Sequence, residues 1–216
     1  MDYKQAHFNL EIDDNQIAWV YFDYADGSMN VLSSEVLDEL REVLIEVRNI
    51  SPAGMVITSA KSSGFIAGAD VKEFKKFHEY EDAHEAITKG QEVMWLIDTM
   101  DFPTLALING VCLGGGLELA LSCDYRIILD STKSRIGFPE VKLGIHPGFG
   151  GSVRSIRVLG VIKAMGIMLT GRTLSAYQAK KIGLVDHVVP LRLFDKSAVD
   201  IIKKSPPPRR SDKVDS

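Results

Sequence analysis

The sequence predicts an α/β fold with mainly parallel strand pairing, and three observations carry that prediction. Short apolar runs of strand length alternate along the chain with stretches whose apolar residues recur every three or four positions. Two of the runs, Met55 to Ile57 and Thr104 to Ile108, lack the alternation of a half-exposed strand and read as buried. Glycines cluster between these elements, at Gly64 and Gly68, at Gly110 with Gly114 to Gly116, and at Gly144, Gly148, Gly150 and Gly151. Such clusters mark sharp turns or close backbone approach. The 216 residues suffice for one substantial core but are short for two full-sized enzyme domains.

Each element follows from local pattern. Phe8 to Ile12 and Ile17 to Phe22 flank the turn-forming Asp13-Asp14-Asn15 and read as a β-hairpin. Val36, Leu37, Leu40, Val43, Leu44 and Val47 share one face of a helix, with Ser33 or Ser34 as N-cap and Glu35 and Asp38 in the first turn. Met55 to Ile57 is a strand ending in Thr58 and Ser59, and a loop rich in small residues follows from Ala60 to Asp70. A second helix is expected over Ala83 to Met100, with Ile87, Met94 and Ile97 on one face. Thr104 to Ile108 is a strand that turns at Asn109-Gly110, and Leu117 to Cys123 is a short apolar helix launched from three glycines. Tyr125 to Leu129 is a strand. Helices are expected near Val153 to Val158 and Lys163 to Leu169, and a third is capped by Ser175. Val185 to Val189 is the last strand, and Leu193 to Lys203 can form one more helix. Residues 205–216 are proline-rich and charged, so one domain is expected over 1–204 with a flexible linker stub behind it.

Composition excludes several classes. Lys and Arg total 25 against 29 Asp and Glu, a net charge of -4, which argues against a nucleic-acid-binding surface spanning the protein. Two cysteines, Cys112 and Cys123, make no disulfide scaffold; they read as core fillers in a reducing compartment. The start, Met1-Asp2-Tyr3-Lys4, is not a secretory leader, and no apolar run approaches ~20 residues. A soluble intracellular protein is the expectation. No Cys/His grouping has metal-ligand spacing, so no metal is expected. Trp19 and Trp95 are expected in the core, His78 and His84 on the surface, and His146 packed or solvent-facing.

Three segments can carry chemistry. Leu113-Gly114-Gly115-Gly116-Leu117-Glu118 follows a strand and opens a helix, exposing backbone N–H groups where the helix dipole adds positive potential. The Gly-x-Gly-x-x-Gly spacing of a nucleotide loop and the Gly-Lys-Ser/Thr ending of a P-loop are both absent. Ile66-Ala67-Gly68-Ala69-Asp70 allows a ligand close to the main chain, and Glu140, within Gly137 to Gly144, is a candidate buried carboxylate with a raised pKa. Each segment alone also has a plain reading, as a packing turn, a flexible turn or an exposed loop glutamate. Together they supply two carboxylates and two backbone donors and no nucleophile, which points to proton transfer or addition next to a carbonyl.

These residues resemble the enoyl-CoA hydratase/isomerase (crotonase) superfamily. The similarity rests on Ser63 to Asp70, on Ile108 to Ala120 and on Gly137 to Gly151, in the family's order, and runs from about residue 6 to about residue 190. It is nearest to the N-terminal hydratase domain of multifunctional fatty-acid oxidation α-subunits. The resemblance implies a crotonase-like spiral of repeated β-β-α units. It also implies an oxyanion hole for a thioester, formed by the backbone N–H groups of Ala69 and Gly115.

Further roles follow from the same likeness. Glu118 matches the carboxylate that activates water, and Glu140 the acid that protonates the α carbon of a 2-enoyl-CoA. Ala67, Gly68, Ala69 and Asp70, with Gly115, would line the coenzyme A pantetheine, and Lys72 would approach a phosphate. Coenzyme A is then part of the substrate, and no separate cofactor is implied. Having both glutamates favours hydration. The alternatives are a Δ3,Δ2-enoyl-CoA isomerase and a catalytically impaired acyl-CoA-binding module. The latter follows from the expectation that the covering C-terminal helices are truncated. A homo-oligomer or a subunit of a fatty-acid oxidation complex, in the cytoplasm or a mitochondrial matrix, completes the expectation.

Overall fold

A computed structural model describes residues 2–204 apart from Phe77; the expected tail, 205–216, lies outside the described residues. In chain order the elements are β1 (Asp2–Lys4), β2 (Phe8–Ile12), β3 (Ile17–Phe22), α1 (Ser34–Ile50), β4 (Gly54–Ser59), β5 (Gly64–Ile66) and α2 (Tyr80–Asp98). There follow β6 (Thr104–Ile108), β7 (Val111–Leu113), α3 (Gly115–Ser122), β8 (Tyr125–Leu129), β9 (Arg135–Gly137), α4 (Gly151–Leu159) and α5 (Val161–Met168). The last are β10 (Thr173–Leu174), α6 (Ala176–Ile182), β11 (His187–Val189) and α7 (Phe194–Lys204).

Three consecutive units, β4-β5-α2, β6-β7-α3 and β8-β9-α4, repeat one arrangement. The first strand of each enters a seven-stranded sheet of order β1-β2-β3-β4-β6-β8-β11, and the second enters a four-stranded sheet of order β10-β9-β7-β5. Within both runs the pairing is parallel, so each unit steps over by one strand and the chain winds as a spiral. Among the described residues the pairing is antiparallel only at the edges, in β1-β2-β3 and β9-β10. The hairpin falls on the residues expected, in register Phe8↔Phe22 to Ile12↔Ala18.

The apolar strand runs are explained by cover on both faces. One face of the large sheet packs on α1, α2 and α3. On the other, Ile17, Trp19, Val56, Leu105, Leu107 and Ile127 form a second cluster with Phe194, Ala198 and Ile202 of α7. Gly54 is required there, because a Cβ would run into Ile202. Among the described residues no helix is long and apolar enough to cross a membrane.

Several elements differ from the sequence expectation. The segment from Ala60 to Asp70 is not loop throughout, since Gly64–Ile66 pairs with Val111–Leu113 as two short strands. The turn after Ile108 and the stretch after Leu129 likewise carry β7 and β9. Helix α2 starts at Tyr80 rather than Ala83, because the Asp82 carboxylate accepts from the His78 and Glu79 N–H groups at 2.9 and 3.2 Å and so fixes the first turn. Of the two candidate N-caps of α1, Ser33 is used, its Oγ accepting from the Val36 N–H. Trp95 is not in the core; it is 59% exposed, one helical step off the buried face of Val93, Met94 and Ile97. The last strand is shorter than expected, His187–Val189.

Helix α3 sits unusually close to β5, and Gly116 is what permits it. A Cβ there would lie 2.5 Å from the Ile66 carbonyl oxygen and 2.7 Å from its Cβ. Gly116→Ala is therefore expected to destabilise the fold by about 1–3 kcal/mol, the range for overpacking a closed core. Urea unfolding checks it, and an unchanged midpoint would contradict the close-packed geometry.

Candidate active site

The loop after β5 is pinned by a ladder to residues 30–32. Ala67 N–H donates to the Asn30 carbonyl (2.9 Å), Leu32 N–H to the Gly68 carbonyl (2.9 Å) and Asp70 N–H to the Leu32 carbonyl (3.0 Å). The ladder uses the amides of Ala67 and Asp70 and leaves that of Ala69 out. Asn30, buried, holds the other side of this ladder. Its Nδ2 donates to the Phe22 and Phe65 carbonyls and to Ser59 Oγ, and its Oδ1 accepts from the Tyr24 N–H.

Gly114, at φ 50°, turns the chain from β7 into α3. The Gly115 amide is the first of that helix and has no intrahelical acceptor, so it stands free at the positive end of the dipole. A Cβ on Gly115 would lie 3.4 Å from the Ala69 nitrogen, so the two amides adjoin. Two loops from successive spiral units thus bring together two backbone donors separated by a whole helix in sequence.

The carboxyls face the same place. Glu118 projects from the first turn of α3, and Glu140 opens a one-turn 3-10 helix, Glu140–Leu143. Both are buried. Glu118 Oε1 accepts from the Phe149 N–H (2.8 Å) and the Gly151 N–H (2.7 Å). Gly151 must be glycine, since a Cβ would sit 2.6 Å from Glu118 Cγ. Glu140 Oε1 lies against Gly114, where a Cβ would come within 2.8 Å, and Glu140 Oε2 is buried without a hydrogen-bond partner.

Burial pushes the Glu118 carboxyl up to about 7, with the Glu140 charge adding to the rise and the Gly151 and Phe149 N–H donors and Arg154 opposing it. Burial raises Glu140 as well. The Phe149 and Gly151 N–H donors favour the ionised form of Glu118, and no hydrogen-bond donor does the same for Glu140 Oε2 among the described residues.

A cavity of about 510 Å³ joins these groups. Ala67, Gly68, Ala69, Asp70, Gly115, Glu118 and Glu140, all singled out from sequence, line it. Its walls are mostly apolar, with Leu32, Leu37, Phe74, Ile87 and Phe149 among them. Lys72, expected to approach a phosphate, is exposed and lies outside this lining, its amide donating to Asp70 Oδ1 (3.0 Å). His146 is exposed at the cavity's edge.

Sequence reasoning missed Asn30 and the use of the Phe149–Gly151 backbone. Asn30 sits in an ordinary loop, and only the three-dimensional ladder reveals it. The glycines from Gly144 to Gly151 pointed to a specialised loop after Glu140, but not to its partner, Glu118.

With this geometry in hand, the comparisons with known proteins are specific. The family model described as enoyl-CoA hydratase/isomerase matches residues 14–208. A curated relative from Vibrio campbellii, the fatty acid oxidation complex subunit alpha, is 43% identical over 188 residues, which cover 87% of this chain and 27% of that protein. The protein of the same name from Shewanella loihica is 41% identical over 208 residues, 96% of this chain and 30% of the relative. The chain thus spans less than a third of the length of these relatives. Among solved structures, an enoyl-CoA hydratase from Bacillus anthracis superposes with a TM-score of 0.84 at 33% identity, over 92% of this chain and 76% of that one. One from Thermoplasma volcanium gives 0.85 at 29% identity, over 94% and 79%. The fold is the crotonase fold of these hydratases.

Proposed function

Because the chain belongs to the enoyl-CoA hydratase/isomerase family, we propose that it hydrates 2-trans-enoyl-CoA thioesters to 3-hydroxyacyl-CoA. The single observation that carries this reading is the facing of two free backbone amides, Ala69 and Gly115, by two buried carboxyls, Glu118 and Glu140, across one apolar cavity.

The amides receive the thioester oxygen and stabilise the enolate that forms when water adds, an effect worth roughly 3–4 kcal/mol per donor where one has been removed. Ionised Glu118, oriented by the Phe149 and Gly151 N–H groups, takes a proton from water as the oxygen bonds to the β carbon. Glu140 delivers its proton to the α carbon. The enolate collapses back to the thioester, the two carboxyls having exchanged one proton through the substrate and water, and the proton returns to Glu140 before the next turnover. The apolar walls keep the site dry and strengthen both interactions. No separate cofactor enters this chemistry, since coenzyme A arrives with the substrate.

Two carboxyls in one cavity favour hydration over isomerisation, which moves a single proton between carbons and needs one group to shuttle it. The likeness to fatty acid oxidation subunits supports a place in β-oxidation, after the step that makes the 2,3 double bond and before oxidation of the 3-hydroxyl. It supports, equally as a proposal, assembly with further subunits.

The reading is tested by mixing the folded protein with a short 2-enoyl-CoA and following loss of the conjugated thioester absorbance, with the product identified by mass. Loss of absorbance with a gain of one water is the expected result. Absence of turnover by folded protein would contradict it, and conversion of a 3-enoyl-CoA without water addition would favour the isomerase instead.

A further inference from the structure

The groups that fix the Glu118 carboxylate come from one short stretch of backbone, Phe149 to Gly151, and that stretch is itself held. Arg154 Nη1 donates to the Phe149 carbonyl at 2.8 Å. Phe149 is therefore tied on both sides, its N–H to Glu118 Oε1 and its C=O to the guanidinium. The same guanidinium reaches across to α2. Its Nε donates to Asp98 Oδ2 at 2.9 Å, and its Nη2 pairs with that same oxygen.

Local sequence makes room for this fork. Gly150 takes φ 95°, in the left-handed region, and a Cβ on it would collide with Arg154 Nη1. Gly90 of α2 likewise lets the helix run against the Phe149 ring, which a Cβ would strike. The Arg154 side chain is 13% exposed and does not line the cavity. It acts from behind the cavity, through the Phe149 backbone that it holds and through its charge.

We propose that Arg154, anchored by Asp98, is a positioning residue for Glu118. By gripping the Phe149 carbonyl it keeps the Phe149 and Gly151 amides aimed at the carboxylate. Its charge adds to this: Glu118 faces Glu140, which disfavours a second negative charge, and Arg154, which favours it. Asp98 faces Arg154 and Arg157, with Asp124 opposing them. A planar guanidinium suits the task because it bonds a carboxylate and a carbonyl at once, which a lysine ammonium at the same distance cannot do in fixed geometry.

The catalytic part of this inference rests on the hydratase reading; the positioning part does not. The test therefore uses two readouts. NMR of protein labelled at the glutamate side-chain carboxyl carbons, with Glu118 assigned from Glu118→Gln, follows its titration in wild type, Arg154→Met and Arg154→Lys. The titration is expected to move to higher pH in both variants, further in Arg154→Met, which loses the charge as well as the grip. Arg154→Lys decides the matter should Arg154→Met fail to fold. With 2-enoyl-CoA, kcat is expected to fall roughly tenfold or more at unchanged KM in both, because a misaimed catalytic group affects the transition state and not ground-state binding. Asp98→Asn, which keeps the arginine but loosens its anchor, is expected to lower kcat less. An unshifted Glu118 titration in both arginine variants would overturn the proposal, whatever the effect on stability. An inactive wild type with a shifted titration would instead remove the hydratase reading and leave the positioning role standing.

Discussion

Glu140→Gln is expected to abolish hydration of a 2-enoyl-CoA while leaving the fold and thioester binding in place. The glutamine amide has nearly the volume of the carboxyl, and it keeps an oxygen or nitrogen beside Gly114, where there is no room for a larger group. What it lacks is a transferable proton. Glu140 Oε2 is buried with no protein partner, so no neighbouring group takes over the donation to the α carbon. The Ala69 and Gly115 amides and the apolar walls are untouched, so affinity for an acyl-CoA should stay within about twofold while kcat falls by roughly 10²–10⁴, the range for losing a positioned general acid. Steady-state rates together with titration of a saturated acyl-CoA check both halves. A variant that hydrates at the parental rate would remove Glu140 from its role.

Glu118→Gln should also be inactive, but its stability should move in the opposite direction from most active-site damage. The Gln carbonyl oxygen can still accept from the Phe149 and Gly151 N–H groups that hold Oε1 at 2.8 and 2.7 Å. Burial raises the glutamic acid from its ordinary 4.5 to about 7, so the folded state prefers the neutral form. That preference contributes fully below about pH 4.5 and is lost as pH rises through 7, where the folded protein has to hold a buried charge that the unfolded chain carries in water. Glutamine never ionises. At pH 8 the variant should be more stable than the parent by on the order of 2–3 kcal/mol, with the difference disappearing towards pH 4. Urea midpoints at pH 4, 6 and 8 read this directly. Equal midpoints at pH 8 would show that Glu118 carries its charge there without penalty. Catalytic residues held against their own preference are a familiar place for stability and activity to oppose each other.

The elements legible in the sequence were those long enough to show either a helical period or an unbroken apolar run. The buried face of α1 appears at its expected residues because 3.6-residue spacing repeats several times within it, and the hairpin of β2 and β3 because two apolar-rich runs flank a polar turn. Strands β5, β7 and β9 have three residues each and lie among glycines, too short to show any alternation. They exist because the spiral stacks them against one another, which is a property of the whole fold. Trp95 was misread for a related reason. Its apolar neighbours suggested core, but helix geometry places it one step from the buried face, where 59% of it stays exposed.

The candidate site was more legible than the fold around it. Its chemistry sits in short runs, Ala67 to Asp70 and Gly114 to Glu118, whose glycines are needed for close approach, and a family resemblance reinforced them. Lys72, five residues beyond the first run's start, is exposed outside the cavity lining, so the cavity itself says nothing of its expected approach to a phosphate. Asn30 and Arg154 show the limit of reading short runs. One fixes the loop that frees the Ala69 amide through contacts 35 residues apart; the other grips a carbonyl only five residues away, but the backbone it steadies serves Glu118, 31 residues earlier than Phe149. No local pattern announces such a contact.

The central claim is that the Ala69 and Gly115 amides hold a thioester oxygen between two carboxyls. A crystal structure of the protein with a non-hydrolysable 2-enoyl-CoA analogue tests it most directly. The expected result places the carbonyl oxygen within about 3 Å of both amide nitrogens, with the β carbon on the Glu118 side and the α carbon within reach of Glu140. A bound analogue whose carbonyl oxygen meets neither amide, or whose double bond lies away from both carboxyls, would contradict it.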